Sequence, residues 1–164
     1  MRVLIKNKFM SIGGGSSVTD ENNVPVFKVK GKAFSITRKK YVCDLEGNML
    51  YMVRNKYWKF FVRSALIYNA EKEKIAKVKE KVFTLRGVYY VQGYEDEIVV
   101  EGGFFTGLAQ IYRNGEIMGT MSFRPRSVAD ALDITDSFVL EADEKDMPFL
   151  IALVIAVDNI RDRK

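Results

Sequence analysis

At 164 residues, with 48% apolar, 12% aromatic and 29% charged side chains, three prolines and a net charge of +5, the chain has the composition of one globular domain, long enough to bury roughly two thirds of the surface its unfolded form exposes. A single cysteine, Cys43, excludes an intrachain disulfide framework and multi-cysteine metal sites. The lack of histidine excludes Ser-His-Asp and Cys-His nucleophiles and the usual zinc sites.

The opening MRVLIKNKFM breaks its apolar pattern with charges and has no small-residue cleavage site, so it does not read as a secretion signal, and cytoplasmic residence is expected. Residues 12–23, IGGGSSVTDENN, read as a flexible loop. They lack the Lys-Ser/Thr pair and following helix of a phosphate-binding loop. In VPVFKVKGK, Phe27 and Val29 alternate with Lys28 and Lys30, which predicts a strand. After Gly31 the apolar parity passes to Phe34 and Ile36, as a bulge or tight bend at the glycine would require. Tyr41–Leu45 and Met49–Arg54 flank EGN, where Gly47 suits the positive-φ position of a hairpin turn. Cys43, in YVCDL, reads as a small strand residue rather than an activated thiol.

Further strands are predicted over Trp58–Tyr68, Ile75–Lys79, Val82–Leu85, Val88–Tyr94, Ile98–Glu101, Gly107–Arg113, Glu116–Phe123 and Ser137–Ala142. CDLEGNMLYMV, YNAEKEKIAKV and YRNGEIMGTM each set a polar turn between alternating strands. YEDEI at 94–98 reads as another turn, and Gly102-Gly103 before Phe104-Phe105 as a bend. About a dozen short strands joined by brief loops predict a meander forming a rolled sheet or closed barrel rather than a βαβ fold.

The C-terminus breaks this pattern. Pro148 suits a first helical turn, Asp143, Glu144 and Asp146 suit a helix start, and Arg161, Arg163 and Lys164 suit its end. The uncharged run Met147 to Val157 is eleven residues long, whereas a membrane-spanning helix needs about 20. Apolar on all sides, the helix has no polar face to lie on a membrane surface and must be enclosed, and a curved antiparallel sheet supplies the enclosure. The fold class is therefore mainly β with one buried helix (α+β), and the chain reads as a single domain over residues 1–164.

Charge is distributed unevenly. Residues 1–60 carry twelve Lys/Arg against four Asp/Glu, and residues 127–164 carry four against nine. Lys28, Lys30 and Lys32 have the period of one strand face, and Arg38, Lys39 and Lys40 follow, which together make the best anion-binding candidate. The alternative is a solvated outer face that discourages aggregation. Lys77, Lys79 and Lys81 repeat the spacing, with Glu71, Glu73 and Glu80 near in sequence. RNKYWKFFVR, residues 54–63, mixes cations with aromatics as single-strand binders do, and equally as a barrel strand does. The acidic tract 130–146 lacks EF-hand spacing and reads as a strand followed by a helix-capping loop.

VPVFKVKGKAFSITRKKYVCDLEGNMLYMV, with the C-terminal DITDSFVLEADEKDMPFLIALVIAVDNI, resembles the LURP-one-related family, grouped with the Tubby C-terminal-like and phospholipid scramblase proteins. The resemblance covers residues 1–162. It implies a roughly twelve-stranded antiparallel closed β-barrel around a hydrophobic C-terminal helix. Tubby-like proteins bind phosphoinositide headgroups through basic residues and act as membrane-tethered adaptors, although their lipid-binding motif does not map residue by residue onto this chain. The scramblases carry a proline-rich N-terminal region that has no counterpart here.

The expected function is a non-catalytic binding or adaptor module. It would meet an anionic lipid headgroup of phosphoinositide type, or a protein partner, through a basic outer face, with peripheral membrane association and no cofactor. A nucleic-acid-binding protein and an enzyme of unknown chemistry are the alternatives.

Overall fold

Each of the three repeated polar turns reverses the chain between antiparallel strands. Between β4 (Lys40–Cys43) and β5 (Met49–Asn55), the Asp44 carboxylate accepts the backbone N–H groups of Gly47 at 2.7 Å and Asn48 at 2.8 Å, and Gly47 takes the left-handed φ of +97°. Between β6 (Ser64–Tyr68) and β7 (Lys74–Glu80), the Asn69 side chain accepts the Glu73 N–H at 2.8 Å and Lys72 takes a φ of +66°. Between β10 (Leu108–Arg113) and β11 (Glu116–Arg124), the two connecting residues Asn114 and Gly115 have φ of +52° and +85°, the left-handed pair of a tight hairpin turn.

The computed structural model describes residues 1–7, 15–31, 36–56, 64–81, 87–103, 107–124 and 136–161. The other described strands are β1 (Arg2–Asn7), β2 (Gly15–Thr19), β3 (Pro25–Gly31), β8 (Gly87–Gln92), β9 (Ile98–Gly103) and β12 (Asp136–Ala142). Consecutive strands pair antiparallel around a closed barrel, and β1 completes the ring by pairing both β2 and β12. The predicted meander and closed barrel are therefore the observed architecture.

Three local expectations change. Residues 12–23 are not a loop throughout, because Gly15–Thr19 forms β2 between β1 and β3, with Val18 fully buried. Two flanking strands supply the partners that a Gly/Ser-rich segment does not advertise by itself. Gly102 and Gly103 lie within β9, paired with Ala109 and Leu108, rather than at a bend. Ile36, expected on a strand, lies in a turn and is 74% exposed. Lys32, Phe34, Val82–Leu85, Phe104-Phe105, Arg163 and Lys164, with Tyr57–Arg63 and 130–135 of the longer segments, lie outside the described residues.

The chain enters the barrel through a short 3-10 turn, Glu144–Asp146, and continues as helix α1, Met147–Arg161. Every residue from Phe149 to Ile160 is buried. Inward side chains from all twelve described strands, among them Val3, Val18, Val42, Ile67, Val78, Tyr89, Ile98, Ile111 and Leu140, form one core with the helix. Burying each leucine or isoleucine of α1 contributes about 1.5–3 kcal/mol. The helix packs most closely against β5 and β6. On β11, Gly119 leaves room for it: a Cβ there would stand 3.2 Å from Leu150 Cδ1 and 3.0 Å from the Glu141 carbonyl.

Polar contacts hold α1 at both barrel mouths. At its start Arg113 reaches Asp146 at 2.9 Å and Asp96 at 3.3 Å, and Asn114 donates to Asp96 at 2.9 Å. Asp146 therefore acts as an ion-pair partner, while Asp143 precedes the 3-10 turn without a side-chain cap. Phe149 stacks on Tyr94 with centroids 4.5 Å apart and meets Tyr51 edge-on at 6.0 Å. No helix among the described residues is long and apolar enough to cross a membrane.

Candidate functional site

Alternation along β3 determines where the predicted lysines go. Val29 is buried, so its neighbours Lys28 and Lys30 face outward, and both are exposed. The Lys28 ammonium donates to the Leu45 carbonyl. The Lys30 Nζ lies 3.2 Å from the position a Cβ on Gly47 would occupy. Both cations therefore lean over the β4–β5 turn, where the Asn48 side chain, donating to Asp44 at 2.8 Å, is the main cause holding that carboxyl below its usual range.

Cys43 pairs with Lys28 across the strands and is 2% exposed. Burial pushes its thiol up, the Lys30 charge pulls it back, and Asp44 and Lys28 add smaller opposed effects. A thiol shifted upward is a packing element rather than a nucleophile at neutral pH.

The remaining candidates separate. Arg38 is exposed with a φ of +49°, and its carbonyl accepts the Asn159 side-chain N–H at 3.3 Å. Lys39 is half-buried. Lys40 shares the inward parity of Val42, and its Nζ stands 4.0 Å from Asp158 Oδ2, the two side chains being 13% and 2% exposed. The five described cations of the predicted site thus do not form one face. Lys28 and Lys30 belong to the outside, and Lys40 belongs to the barrel mouth.

A second basic stripe lies on β7, four strands on from β3 around the barrel. On β7, Lys77 and Lys79 flank buried Val78 and follow buried Ala76, so they point outward. Register does not align the two stripes: Lys30 pairs Tyr41, Tyr41 pairs Met52, Met52 pairs Tyr68 and Tyr68 pairs Lys74, whereas Lys77 pairs Leu66 and Leu66 pairs Arg54. Arg54 donates through Nε to Tyr68 Oη at 3.0 Å, its guanidinium 4.9 Å from the ring centroid. Lys81, of the same stripe, is 5.7 Å from the Tyr90 ring centroid.

Strands β3 to β6 contain no Asp or Glu, and the one carboxylate of β7 is its last residue, Glu80. Glu101 and Glu141 are exposed on β9 and β12. Because the strands run in sequence order, the uneven charge of the chain survives as an uneven charge around the wall. Sequence periodicity located each stripe, and the strand order sets them four places apart around the twelve-strand barrel. Among the described residues, no group of three His, Cys, Asp or Glu could hold a metal ion.

A sequence model of the LURP-one-related family matches residues 1–158. The chain belongs to the LURP-one-related family. The match runs from β1 into the last turns of α1, so both the barrel wall and the helix that fills it lie within the LURP-one-related domain. Comparison with curated proteins and with solved structures gave no significant match.

Proposed function

We propose that this LURP-one-related protein is a non-catalytic binding or adaptor module that recognises an anionic ligand, a phosphoinositide-like headgroup, through the outer face of β3. The observation carrying this reading is the convergence of the exposed Lys28 and Lys30 on one turn. Two ammonium groups directed over one hairpin turn make a ready phosphate contact. The interior supports the same reading, since α1 occupies the space in which other barrels hold small ligands.

Flotation with neutral phosphatidylcholine vesicles, and with the same vesicles carrying a phosphoinositide, tests the proposal across a salt series. The expected result is binding to the anionic vesicles only, weakening as salt rises, and weaker again when Lys28 and Lys30 are both changed to Gln. Unchanged binding by that variant rejects the site, and binding to neither vesicle rejects the lipid ligand.

A further inference from the structure

Strand β1 pairs β12 from Arg2 to Asn7, but among the described residues it meets β2 only through Leu4 with Thr19 and Ile5 with Val18. β2 stops at Thr19 because the turn that follows is pinned by its own side chain. The Asp20 carboxylate accepts the N–H groups of Asn22 and Val24, each at 2.8 Å, and Asn23 takes a φ of +61°. The lane beside Arg2 that a longer β2 would fill is left as a groove of about 230 Å³, with Arg2, Leu4 and Val139 from the strands and Asp20 and Glu21 from the turn. The groove lies on the outer wall, since Val3, Ile5, Phe138 and Leu140 fill the core and their neighbours Leu4 and Val139 face the other way.

Two properties specify what this groove takes. Met1 and Ala142 exchange both main-chain hydrogen bonds, at 2.7 and 3.0 Å, and antiparallel alternation then turns the N–H and C=O of Arg2 away from β12, into the lane where β2 has ended. Closing a barrel removes strand edges, so this is a short remnant of edge, and an extended chain can add to it. The second property is charge. Arg2 is committed to Glu141 at 2.9 Å, whereas Glu21 stands 3.6 Å from it, beyond hydrogen-bond reach. Glu21 therefore keeps acceptor capacity for a second cation.

We infer that this groove receives a short extended segment of a protein partner that carries a lysine or arginine. The segment pairs with the Arg2 backbone, rests its apolar flank on Leu4 and Val139, and directs its cation to Glu21. At about 230 Å³ the groove is smaller than the ~300–1,000 Å³ of a small-molecule pocket, and its strand-edge donor and acceptor suit a piece of chain. The β3 lysines take no part. An adaptor would thus hold a basic protein segment here and an anionic ligand on β3, through contacts of opposite charge.

A phage library of random heptapeptides, selected on the wild type and on E21K, tests the inference. Glu21 lies in an exposed turn with its side chain 66% exposed, so E21K keeps the fold, which circular dichroism checks. Peptides retained by the wild type are expected to carry Lys or Arg beside β-branched residues and to bind E21K roughly tenfold more weakly. Made synthetically, such a peptide should shift the amide resonances of Arg2, Leu4 and Glu21, and N-methylation of its pairing N–H should abolish the shifts.

No enrichment on the wild type, enriched peptides without a basic residue, equal binding to E21K, or tolerance of N-methylation at every position overturns the inference. Shifts confined to Lys28 and Lys30 place the peptide on β3 and overturn it as well. Concentration-dependent shifts at Arg2 without peptide, with a doubled mass in sedimentation, assign the groove to a second copy of this chain instead. Vesicle flotation separates the two readings: loss of lipid binding leaves the groove standing, and failed peptide selection leaves the β3 site standing.

Discussion

The Lys40 Nζ lies 4.0 Å from Asp158 Oδ2, so a lysine from the basic N-terminal part of the chain meets the one carboxylate of the buried helix. Arg161 approaches the same aspartate at 3.3 Å. The pair holds the end of α1 against β4, as Arg113 and Asp146 hold its start against β10. Both contacts explain how an apolar rod with low directional preference is held at one depth in the barrel.

Removing Asp158 alone leaves the Lys40 charge enclosed without this counter-ion. D158L is expected to lose about 3 kcal/mol, at the lower end for breaking a buried pair, whereas K40M/D158L should recover most of that loss. Urea unfolding of the wild type, both single variants and the double variant gives the coupling. Additive losses would show that the two side chains do not act as a pair.

The helix side chains form part of a filled core, so truncation there leaves a cavity. Leu153 is 0% exposed, and L153A is expected to cost about 3 kcal/mol. Leu108, 63% exposed on the outer wall, provides the control, and L108A should stay within about 0.5 kcal/mol. The urea midpoint, at constant slope, distinguishes the two.

Tyr51 and Tyr94 both border Phe149. Burial is the main cause raising each phenol above its ordinary pKa of ~10. For a group raised in the folded state, the contribution to stability is complete below the unfolded pKa and disappears as pH rises through the folded one. The core around Phe149 should therefore loosen only in strong alkali. Phenolate absorbance should develop late for these two tyrosines, together with loss of the near-ultraviolet dichroism. Y51F/Y94F should move that loss to higher pH.

Much of the barrel was legible because its signals are local. A turn such as Asp44–Asn48 carries its own carboxylate acceptor and its own glycine, and these act within five residues of chain. The strand β2 was not legible. Its glycine and serines have little strand preference, and its place depends on β1 and β3. The basic candidates show the same division: alternation around Val29 correctly turned Lys28 and Lys30 outward, but nothing near Lys40 in sequence indicates that it faces Asp158, more than a hundred residues later. A lone aspartate in the apolar VIAVDNI was the available signal.

By itself the sequence determined that a short rod, apolar on every side, had to be enclosed by a meander of strands, because the rod is too short to cross a membrane and has no face to leave in water. Only the tertiary structure decided which cations share a surface. Strand pairing, a property of distant segments, set Lys40 at the barrel mouth beside Asp158 and left Lys28 and Lys30 on the outside of β3.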